Sequence, residues 1–304
     1  MGDFRVHILG CGSALPTAVH YPTSQVVELR DKLFLVDCGE GAQRQFRLQR
    51  LDFGRIIGVF ISHLHGDHCY GLYGFLSTMG MLGRRRALPV YGPRGIDTFL
   101  APFIEESCSY LGYEIEVHVI DDRRSGLIYE DRSVQITSLP LEHRAPCVGY
   151  LFREKVTERH IDRASCDFYQ VPRSYYVALR EGADFTTEEG QVIPNHRLTC
   201  QGRKARSYAY CSDTAYAPSL VPLIQGVDLL YHEATFSRER SERAKVTAHS
   251  TAEQAALIAQ ASGVGRLLIG HYSARYLDAT PLLREAQEVF PETLASDEGM
   301  IIDL

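Results

Sequence analysis

The chain has 304 residues, of which 45% are apolar, so it is long enough to bury one large core or two ordinary ones. Its net charge of −6 gives no overall sign of nucleic-acid binding, but this value does not exclude a local basic patch. Eight cysteines without a Cys-x-x-Cys pair indicate neither a disulfide framework nor a thiolate zinc site. No apolar run reaches the ~20 residues that cross a bilayer, and the first residues predict a strand. We therefore expect a cytoplasmic protein with reduced thiols and no membrane partner.

The first predicted strand, Phe4 to Leu9, leads into Gly10-Cys11-Gly12. A Gly-x-Gly after a strand also occurs in dinucleotide-binding turns. Here the third glycine is missing, and Pro16 stands where the crossover helix would begin, so we expect a tight turn.

Two further strands are predicted over Ser24 to Leu29 and Lys32 to Val36. Asp37 follows the second strand directly, where it is either a site residue or a structural turn residue. Ala42 to Leu51 then has the composition of a basic helix.

The densest group of reactive side chains follows the next strand. Ile56 to Ile61 is a short, branched apolar run, which predicts a buried strand, and Ser62-His63-Leu64-His65-Gly66-Asp67-His68 comes directly after it. Three imidazoles and a carboxylate within six positions at a strand end indicate a metal site. Imidazole nitrogen with carboxylate oxygen suits zinc, or alternatively manganese or iron, better than calcium or magnesium.

Beyond this loop we expect a helix over Tyr70 to Leu82, followed by three arginines at positions 84 to 86. The plain interpretation of these arginines is a solvated turn, and the alternative is contact with phosphates. His143 again stands just beyond a strand, as the first cluster does. The other elements predicted in this half are a helix at 95–111 and strands at 114–120, 133–139 and 148–152.

The segment from Arg153 to Arg206 differs from its surroundings, because charged residues alternate there with tyrosines and prolines. No long amphipathic pattern persists in it, so we expect an insertion or a projecting arm rather than part of the core. Its end, Gly202-Arg203-Lys204-Ala205-Arg206, is basic.

Ligand-type side chains recur at the ends of later predicted strands. Each of these histidines alone would be interpreted as a structural residue. Ligands in layered α/β proteins gather beyond the carboxyl ends of strands, so we expect the histidines together to extend the metal site. With Asp213 between them, the histidines and Asp67 suit two metal ions that share a carboxylate, an arrangement suited to hydrolysis. The residues at these positions are Asp213 after strand 207–211, His232-Glu233 after strand 227–231, and His271 after strand 265–269, with His249 before a helix at 252–262 that Ser250 or Thr251 caps.

The histidine loop resembles the metal motif of the metallo-β-lactamase superfamily, and His143, Asp213 and His271 follow it in the usual order. Within that superfamily the closest resemblance is to the ribonuclease Z family, and it covers nearly the whole chain. The blocks that carry it, besides residues 62–68, are Phe-Leu-Val-Asp-Cys-Gly-Glu-Gly-Ala-Gln-Arg-Gln at 34–45, His-Glu-Ala-Thr-Phe at 232–236, His-Ser-Thr-Ala at 249–252 and His-Tyr-Ser-Ala-Arg-Tyr at 271–276.

The resemblance implies an α/β fold, the four-layer αβ/βα sandwich of the metallo-β-lactamase fold, as one domain over residues 1–304. The site would lie at the edge between the two sheets. Residues 153–206 would be the family's inserted arm, an exosite-like segment. The arm of this chain departs from the family at its tip, where Val171-Pro172-Arg173-Ser174-Tyr175-Tyr176 replaces a Gly-Pro-rich sequence.

The resemblance also implies two Zn²⁺ per subunit, with Mn²⁺ or Fe²⁺ as alternatives. His249, oriented by Glu233, would donate the proton to the leaving group, and Asp67 would help to orient or deprotonate the attacking water. For the Glu233–His249 pair, a purely structural role is the alternative. The implied ligands are His63, His65, His143 and Asp213 for one ion, and Asp67, His68, His271 and Asp213 for the other.

The implied activity is an endoribonuclease that removes the 3′ trailer from precursor tRNA, leaving a 3′-hydroxyl on the tRNA and a 5′-phosphate on the trailer. The implied assembly is a homodimer in which one subunit's arm holds tRNA for the other's site. Two alternatives stay open: a hydrolase of small phosphodiesters or sulfate esters, and a non-catalytic metal-stabilised binding protein. The candidate RNA contacts are Arg173, Arg203, Lys204, Arg206 and Arg275.

Overall fold

Two seven-stranded sheets form the framework of the protein in a computed structural model, which describes residues 4–107, 109–155, 159–202 and 204–304. The strands are β1 Phe4–Gly10, β2 Ser24–Leu29, β3 Lys32–Val36, β4 Ile56–Phe60, β5 Leu88–Gly92, β6 Ile115–Val119, β7 Gly126–Glu130, β8 Val134–Pro140, β9 Val148–Glu154, β10 His160–Ile161, β11 Phe185–Thr186, β12 Val192–Ile193, β13 Thr199–Cys200, β14 Ser207–Cys211, β15 Leu229–Glu233, β16 Arg266–Gly270, β17 Thr293–Ala295 and β18 Ile301–Asp303. The α-helices are α1 Ala42–Leu48, α2 Gly66–Cys69, α3 Leu72–Met81, α4 Ile96–Ser107, α5 Arg163–Phe168, α6 Tyr176–Arg180, α7 Ser241–Thr247, α8 Ala252–Ser262 and α9 Thr280–Val289, and short 3₁₀ turns lie at Phe53–Arg55, Arg173–Tyr175, Asn195–Arg197, Pro218–Leu220 and Arg238–Arg240.

Both sheets are mixed. The first has the order β18-β1-β2-β3-β4-β5-β6, antiparallel from β18 to β3 and parallel from β3 to β6. The second has the order β17-β16-β15-β14-β9-β8-β7, with parallel pairing from β14 to β17 and antiparallel pairing of β7 with β8. Parallel strands end at the same edge of a sheet, so the loops that follow β3 and β4, and those that follow β14, β15 and β16, are brought together.

The two sheets pack face to face through aromatic side chains. The ring of Phe34 lies 5.6 Å from that of Phe152, and the ring of Phe60 lies 5.3 Å from that of Tyr150, measured between centroids. Leu35, the next residue along β3, points to the opposite face of the sheet. It belongs to a cluster with Phe46 of α1 and with residues of α3 and α4. β3 is therefore buried on both faces, which explains its continuous apolar sequence. On the second sheet, α8 packs against β15 and β16, and α9 against β17.

The chain divides into two compact units. The first unit comprises residues 1–131, 135–152 and 207–304, and the second comprises 132–134 and 153–206. The second unit contains residues 132–134 besides the span of the predicted arm, and it has an apolar core of its own, which the sequence did not predict. Its helices and strands are two to six residues long, too short to show a helical or strand-like period. This core contains Cys166, Val171, Leu179, Ile193 and Leu198.

Several predicted boundaries are wrong in an informative way. The expected helix over Tyr70 to Leu82 is α3, Leu72–Met81, and the metal loop before it contains a separate short helix, α2, which the sequence did not predict. A side chain at Gly71 would place its Cβ 2.2 Å from the Gly39 carbonyl oxygen, so only glycine lets the two loops approach this closely. His232 and Glu233 lie within β15 rather than beyond it. None of the described helices is long and apolar enough to span a bilayer.

Candidate metal centre

The predicted ligands meet at the strand ends of both sheets, all within the first unit. Each lies in or beside a loop that follows a strand, and these loops lie at the same edge of the two sheets. His63 and His65 follow β4, Asp67 and His68 lie in α2, His143 follows β8, Asp213 follows β14, and His271 follows β16.

One ligand group consists of His63, His65, His143 and Asp213, whose ligand atoms all lie within 4.8 Å of one another. Nε2 of His63 is 3.3 Å from Oδ2 of Asp213 and 3.0 Å from Nδ1 of His65. Nε2 of His143 is 3.8 Å from the same Oδ2 atom. The nitrogens of this group therefore converge on one carboxylate oxygen.

The other group consists of Asp67, His68 and His271. Nε2 of His68 and Nε2 of His271 lie 3.3 Å and 3.1 Å from Oδ1 of Asp213. Oδ2 of Asp67 lies 3.4 Å from Nε2 of His271. Asp213 thus turns one oxygen toward each group, the position predicted for a shared carboxylate.

These residues fit divalent metal ions. Nε2 of His143 is buried and has no hydrogen-bond partner among the described residues, and an orphaned buried nitrogen is costly unless a cation takes its lone pair. Burial lowers the pKa of His63, His65 and His143, which favours the neutral imidazole that metal binding requires. Burial also acts to raise the pKa of Asp213, but the surrounding imidazoles outweigh it and hold that pKa well below its usual range.

Asp37, whose role the sequence left open, contacts His68, one of the predicted ligands. Its Oδ2 atom lies 2.7 Å from Nδ1 of His68 and accepts hydrogen bonds from Ser62 Oγ at 2.7 Å and Tyr210 Oη at 2.6 Å. Oδ1 accepts the Ser62 N–H at 2.6 Å. The backbone of Asp37 is left-handed, with φ 53°, a conformation that residues other than glycine rarely adopt. The surrounding hydrogen bonds hold this buried carboxylate in place.

Two other predicted ligands, His143 and His271, also have an outer partner at Nδ1, whereas Nδ1 of His65 faces Nε2 of His63. Nδ1 of His143 lies 2.9 Å from the Ala248 carbonyl oxygen, and Nδ1 of His271 lies 2.9 Å from Oγ1 of Thr235. Such outer partners fix the ring orientation, so that Nε2 faces the centre.

Replacement of Asp37 by asparagine keeps the volume of the side chain but removes the negative charge beside His68. We expect metal affinity to fall by roughly 10–100-fold, the usual cost of losing an outer partner of a ligand. Metal retention against a competing chelator measures this. Asp31→Asn, at an exposed turn, is the matched control. Equal metal retention in the two variants would show that Asp37 does not support the centre.

His249 and Glu233 form the predicted pair. Nδ1 of His249 lies 2.8 Å from Oε1 of the buried Glu233, which also accepts the Thr214 N–H at 2.9 Å. Burial acts to lower the pKa of His249, but the charge and hydrogen bond of Glu233 raise it to about 9. His249 also lies within ligand distance of Asp213 and His271, so a role as metal ligand is the alternative that experiment must exclude.

A cavity of about 350 Å³ opens onto the centre. Ala14 lines it and donates its N–H to Oδ2 of Asp67 at 2.6 Å, a contact that no side-chain motif could reveal. Arg243, exposed on α7, is a further lining residue that the sequence analysis did not single out. The full lining is Ser13, Ala14, His65, Asp67, Asp213, Thr235, Phe236, Arg243, Thr247, His249, His271, Ser273 and Arg275.

The predicted RNA contacts occupy different environments. Arg275 lines the cavity, where its Nη1 donates to Ser273 Oγ at 3.1 Å. In the second unit, Arg173 and Lys204 are exposed. Arg206 instead forms an ion pair with the buried Glu154, Nε to Oε2 at 2.8 Å, so its guanidinium has a structural partner. Arg203 lies outside the described residues.

Comparison with known proteins gives full-length matches. The chain is 58% identical over 304 residues to Ribonuclease Z of Porphyromonas gingivalis strain W83, covering all of both chains. It is 53% identical to Ribonuclease Z of Bacteroides thetaiotaomicron, over all of this chain and 96% of the relative. A family model described as anti-Pycsar protein Apyc1 matches residues 4–100.

Solved structures are also similar to this chain over nearly its full length. Human tRNase Z, short form (ELAC1), is 26% identical with a TM-score of 0.71, covering 98% of each chain. The metallo-β-lactamase fold protein YhfI of Bacillus subtilis is 19% identical with a TM-score of 0.69, covering 99% of this chain and 100% of its own, and shows the fold. The predicted fold class and family resemblance are confirmed. The chain belongs to the ribonuclease Z family and has the metallo-β-lactamase fold.

Proposed function

We propose that this protein is an endoribonuclease that removes the 3′ trailer from precursor tRNA. The observation that carries the proposal is the position of Asp213, with one oxygen toward each ligand group, in a chain whose full-length relatives are named Ribonuclease Z. The reaction is hydrolysis of one phosphodiester. It leaves a 3′-hydroxyl on the tRNA and a 5′-phosphate on the trailer.

The proposal includes two Zn²⁺ ions per subunit. His63, His65, His143 and Asp213 would hold one, and Asp67, His68, His271 and Asp213 the other. When bound, such ions supply positive charge that lowers the pKa of a water molecule and offsets the negative charge of the phosphate.

Asp67 is proposed to orient the attacking water. Its Oδ2 atom is fixed by the Ala14 N–H at 2.6 Å, and the side chain lines the cavity. Burial acts to raise the pKa of Asp67, but the neighbouring His68 and His271 lower it far below its usual range, so the carboxylate is ionised. It therefore accepts hydrogen bonds from water and does not compete as a donor.

His249 is proposed to protonate the leaving oxygen. Glu233 binds Nδ1, so Nε2 is the nitrogen left for the cavity that His249 lines. As the bond from water oxygen to phosphorus forms and the bond to the 3′ oxygen breaks, the proton moves from Nε2 to that oxygen. The proton lost by the attacking water passes to solvent, and solvent reprotonates Nε2. A ribose alkoxide is a poor leaving group, and a positioned acid contributes roughly 10²–10⁴-fold.

Recognition of tRNA is proposed to use charge from both units. Arg275 would meet phosphate at the cavity, and Arg173 and Lys204 would meet phosphates farther along the backbone. A homodimer, in which the arm of one subunit holds tRNA for the site of the other, and a cytoplasmic location complete the proposal. The free thiols of the described cysteines are consistent with a reducing compartment.

The test compares two substrates on the zinc-loaded protein: precursor tRNA with a 3′ trailer, and a chromogenic phosphodiester. We expect a single endonucleolytic cut of the tRNA, with a 3′-hydroxyl on the upstream product. Hydrolysis of the small diester alone would indicate the alternative hydrolase. Metal binding without cleavage of either substrate would indicate a non-catalytic protein.

Docking can be separated from chemistry by charge variants of the second unit. Deletion of its middle would remove the core residues Leu179 and Ile193, so point changes are cleaner. We expect the double change Arg173→Ala and Lys204→Ala to weaken tRNA binding and to lower the slope of log affinity against log salt by roughly 0.7–0.9 per lost phosphate contact. Hydrolysis of the small diester should be unchanged. Arg123→Ala, exposed in the first unit, is the control, and an unchanged salt slope in the double variant would rule out docking by these residues.

A further inference from the structure

Four ligand-type side chains form a second cluster, separate from the residues that line the catalytic cavity. Cys11, His20, Asp297 and Glu298 place their ligand atoms within 4.8 Å of one another. Cys11 follows β1, and the two carboxylates lie between β17 and β18. We propose that this cluster is a structural site for a divalent cation of the zinc type, additional to the catalytic centre.

Three groups converge on a single nitrogen, Nδ1 of His20. Sγ of Cys11 lies 3.3 Å from it, Oε2 of Glu298 lies 2.9 Å from it, and Oδ1 of Asp297 lies 3.9 Å from it. A ring nitrogen carries at most one proton, so it donates to only one of these groups. In the metal-free protein Sγ of Cys11 can donate to the Ser296 carbonyl oxygen at 3.5 Å, and Oδ1 of Asp297 accepts the Glu298 N–H at 3.0 Å. A shared cation would bind all four ligand atoms at one centre. The corresponding separations between ligand atoms in the catalytic centre are similar, at 3.0–3.8 Å.

The chemistry of the donors suits zinc. Thiolate sulfur, imidazole nitrogen and carboxylate oxygen are its usual ligands, and four protein ligands make a closed site of the structural kind. Burial raises the pKa of the Cys11 thiol, so the metal-free protein carries a thiol. Binding of the cation would release this proton to solvent, as thiolate ligation always does.

The site is built and accessible. Cys11 is fully buried, and the side chains of His20 and Glu298 are each 11% exposed, whereas that of Asp297 is 78% exposed and provides a route for entry. Oε1 of Glu298 accepts the N–H groups of Tyr21 at 2.8 Å and Cys11 at 3.3 Å. These bonds turn Oε2 toward the imidazole, as the outer partners of a metal ligand do.

The cation would stabilise the loop that supports the catalytic centre. The carbonyl of Cys11 accepts the Tyr272 N–H at 3.0 Å, and the Ser13 N–H donates to the Tyr272 carbonyl at 3.0 Å. The next residue, Ala14, donates its N–H to Asp67 at 2.6 Å. Binding of a cation by the cluster would therefore restrain the segment that carries the Ala14 N–H. No sequence motif predicts the site, because Cys11 and Glu298 are 287 positions apart.

Cobalt substitution and metal counting test the proposal on the full-length protein. We expect one metal equivalent per chain beyond those of the catalytic centre, and a thiolate-to-cobalt charge-transfer band in the near ultraviolet. Cys11→Ser should abolish the band, and His20→Asn should release one equivalent. Cys200→Ser, which changes an exposed thiol, should leave both measurements unchanged.

Asp213→Ala keeps this test independent of the proposed function, because it should empty the catalytic centre while preserving the cobalt–thiolate band. The spectrum and metal content of the unmodified protein also test the proposal without any variant. The absence of a thiolate band and of the additional equivalent in that protein would overturn the proposal, as would a band that persists in Cys11→Ser. Either result would make the cluster a hydrogen-bonded structural contact.

Discussion

Replacement of Asp213 by alanine is expected to abolish cleavage of both precursor tRNA and a small phosphodiester, and to lower metal content at both ligand groups together. The side chain is buried, and its two oxygens lie 3.1–3.3 Å from histidine nitrogens of the two groups. Losing an outer partner of a ligand costs roughly 10–100-fold in metal affinity, and a shared ligand should cost more at each site. The five histidines with a nitrogen within 4.0 Å of Asp213 would also lose the nearby negative charge that offsets a bound cation.

Metal analysis after dialysis, together with single-turnover cleavage, measures both effects on one preparation. Asp31→Ala removes a carboxylate from an exposed turn and should behave like the unmodified protein. Circular dichroism distinguishes loss of metal from loss of fold. If Asp213→Ala retains the full metal content of the catalytic centre, the shared-carboxylate assignment is wrong even if activity falls.

The convergence of the candidate ligands was predictable because their sequence signals are local. The run from Ile56 to Phe60 is apolar and branched, and the histidine motif begins two residues after it, so the strand and its loop can be recognised together. The start of α8 has a similar local signal, since Thr251 and Gln254 form a reciprocal capping box. His143 and His271 needed a further premise, that strand ends gather at one edge of a layered sheet.

The supporting contacts were not predictable, because they join distant positions or use backbone atoms. Asp37 meets Tyr210 across 173 positions, and the sequence alone left it as either a site residue or a turn residue. Ala14 supports Asp67 through its N–H, which any residue except proline would offer. A side-chain motif carries no information about such a contact.

The apolar core of the second unit escaped prediction for a different reason. Its five buried apolar residues are spread over 33 positions, from Cys166 to Leu198, and the elements between them are too short to establish a period. Periodicity identifies elements that are long relative to their repeat. A small core assembled from single turns and two-residue strands therefore has the sequence pattern of an irregular loop.

Replacement of His249 by alanine is expected to lower the cleavage rate of precursor tRNA by roughly 10² or more while metal content stays complete. Its Nδ1 atom is bound to Glu233 at 2.8 Å and lies 4.0 Å from Asp213 Oδ2, so the closest partner of the ring is a carboxylate that stands outside both predicted ligand groups. Glu233 is oriented in turn by the Thr214 N–H. Removing the imidazole removes the donor to the leaving oxygen without opening a ligand position.

A substrate with an activated leaving group tests this assignment, because a nitrophenolate departs without protonation and a ribose alkoxide does not. The loss on His249→Ala should therefore be large for tRNA and small for the nitrophenyl diester. Glu233→Gln should follow the same pattern more weakly, since the imidazole remains but loses the charge that raises its pKa. His118→Ala, an exposed histidine of the first unit, is the control. Release of metal from His249→Ala would make this residue a ligand, and equal losses on both substrates would place its effect before the departure of the leaving group.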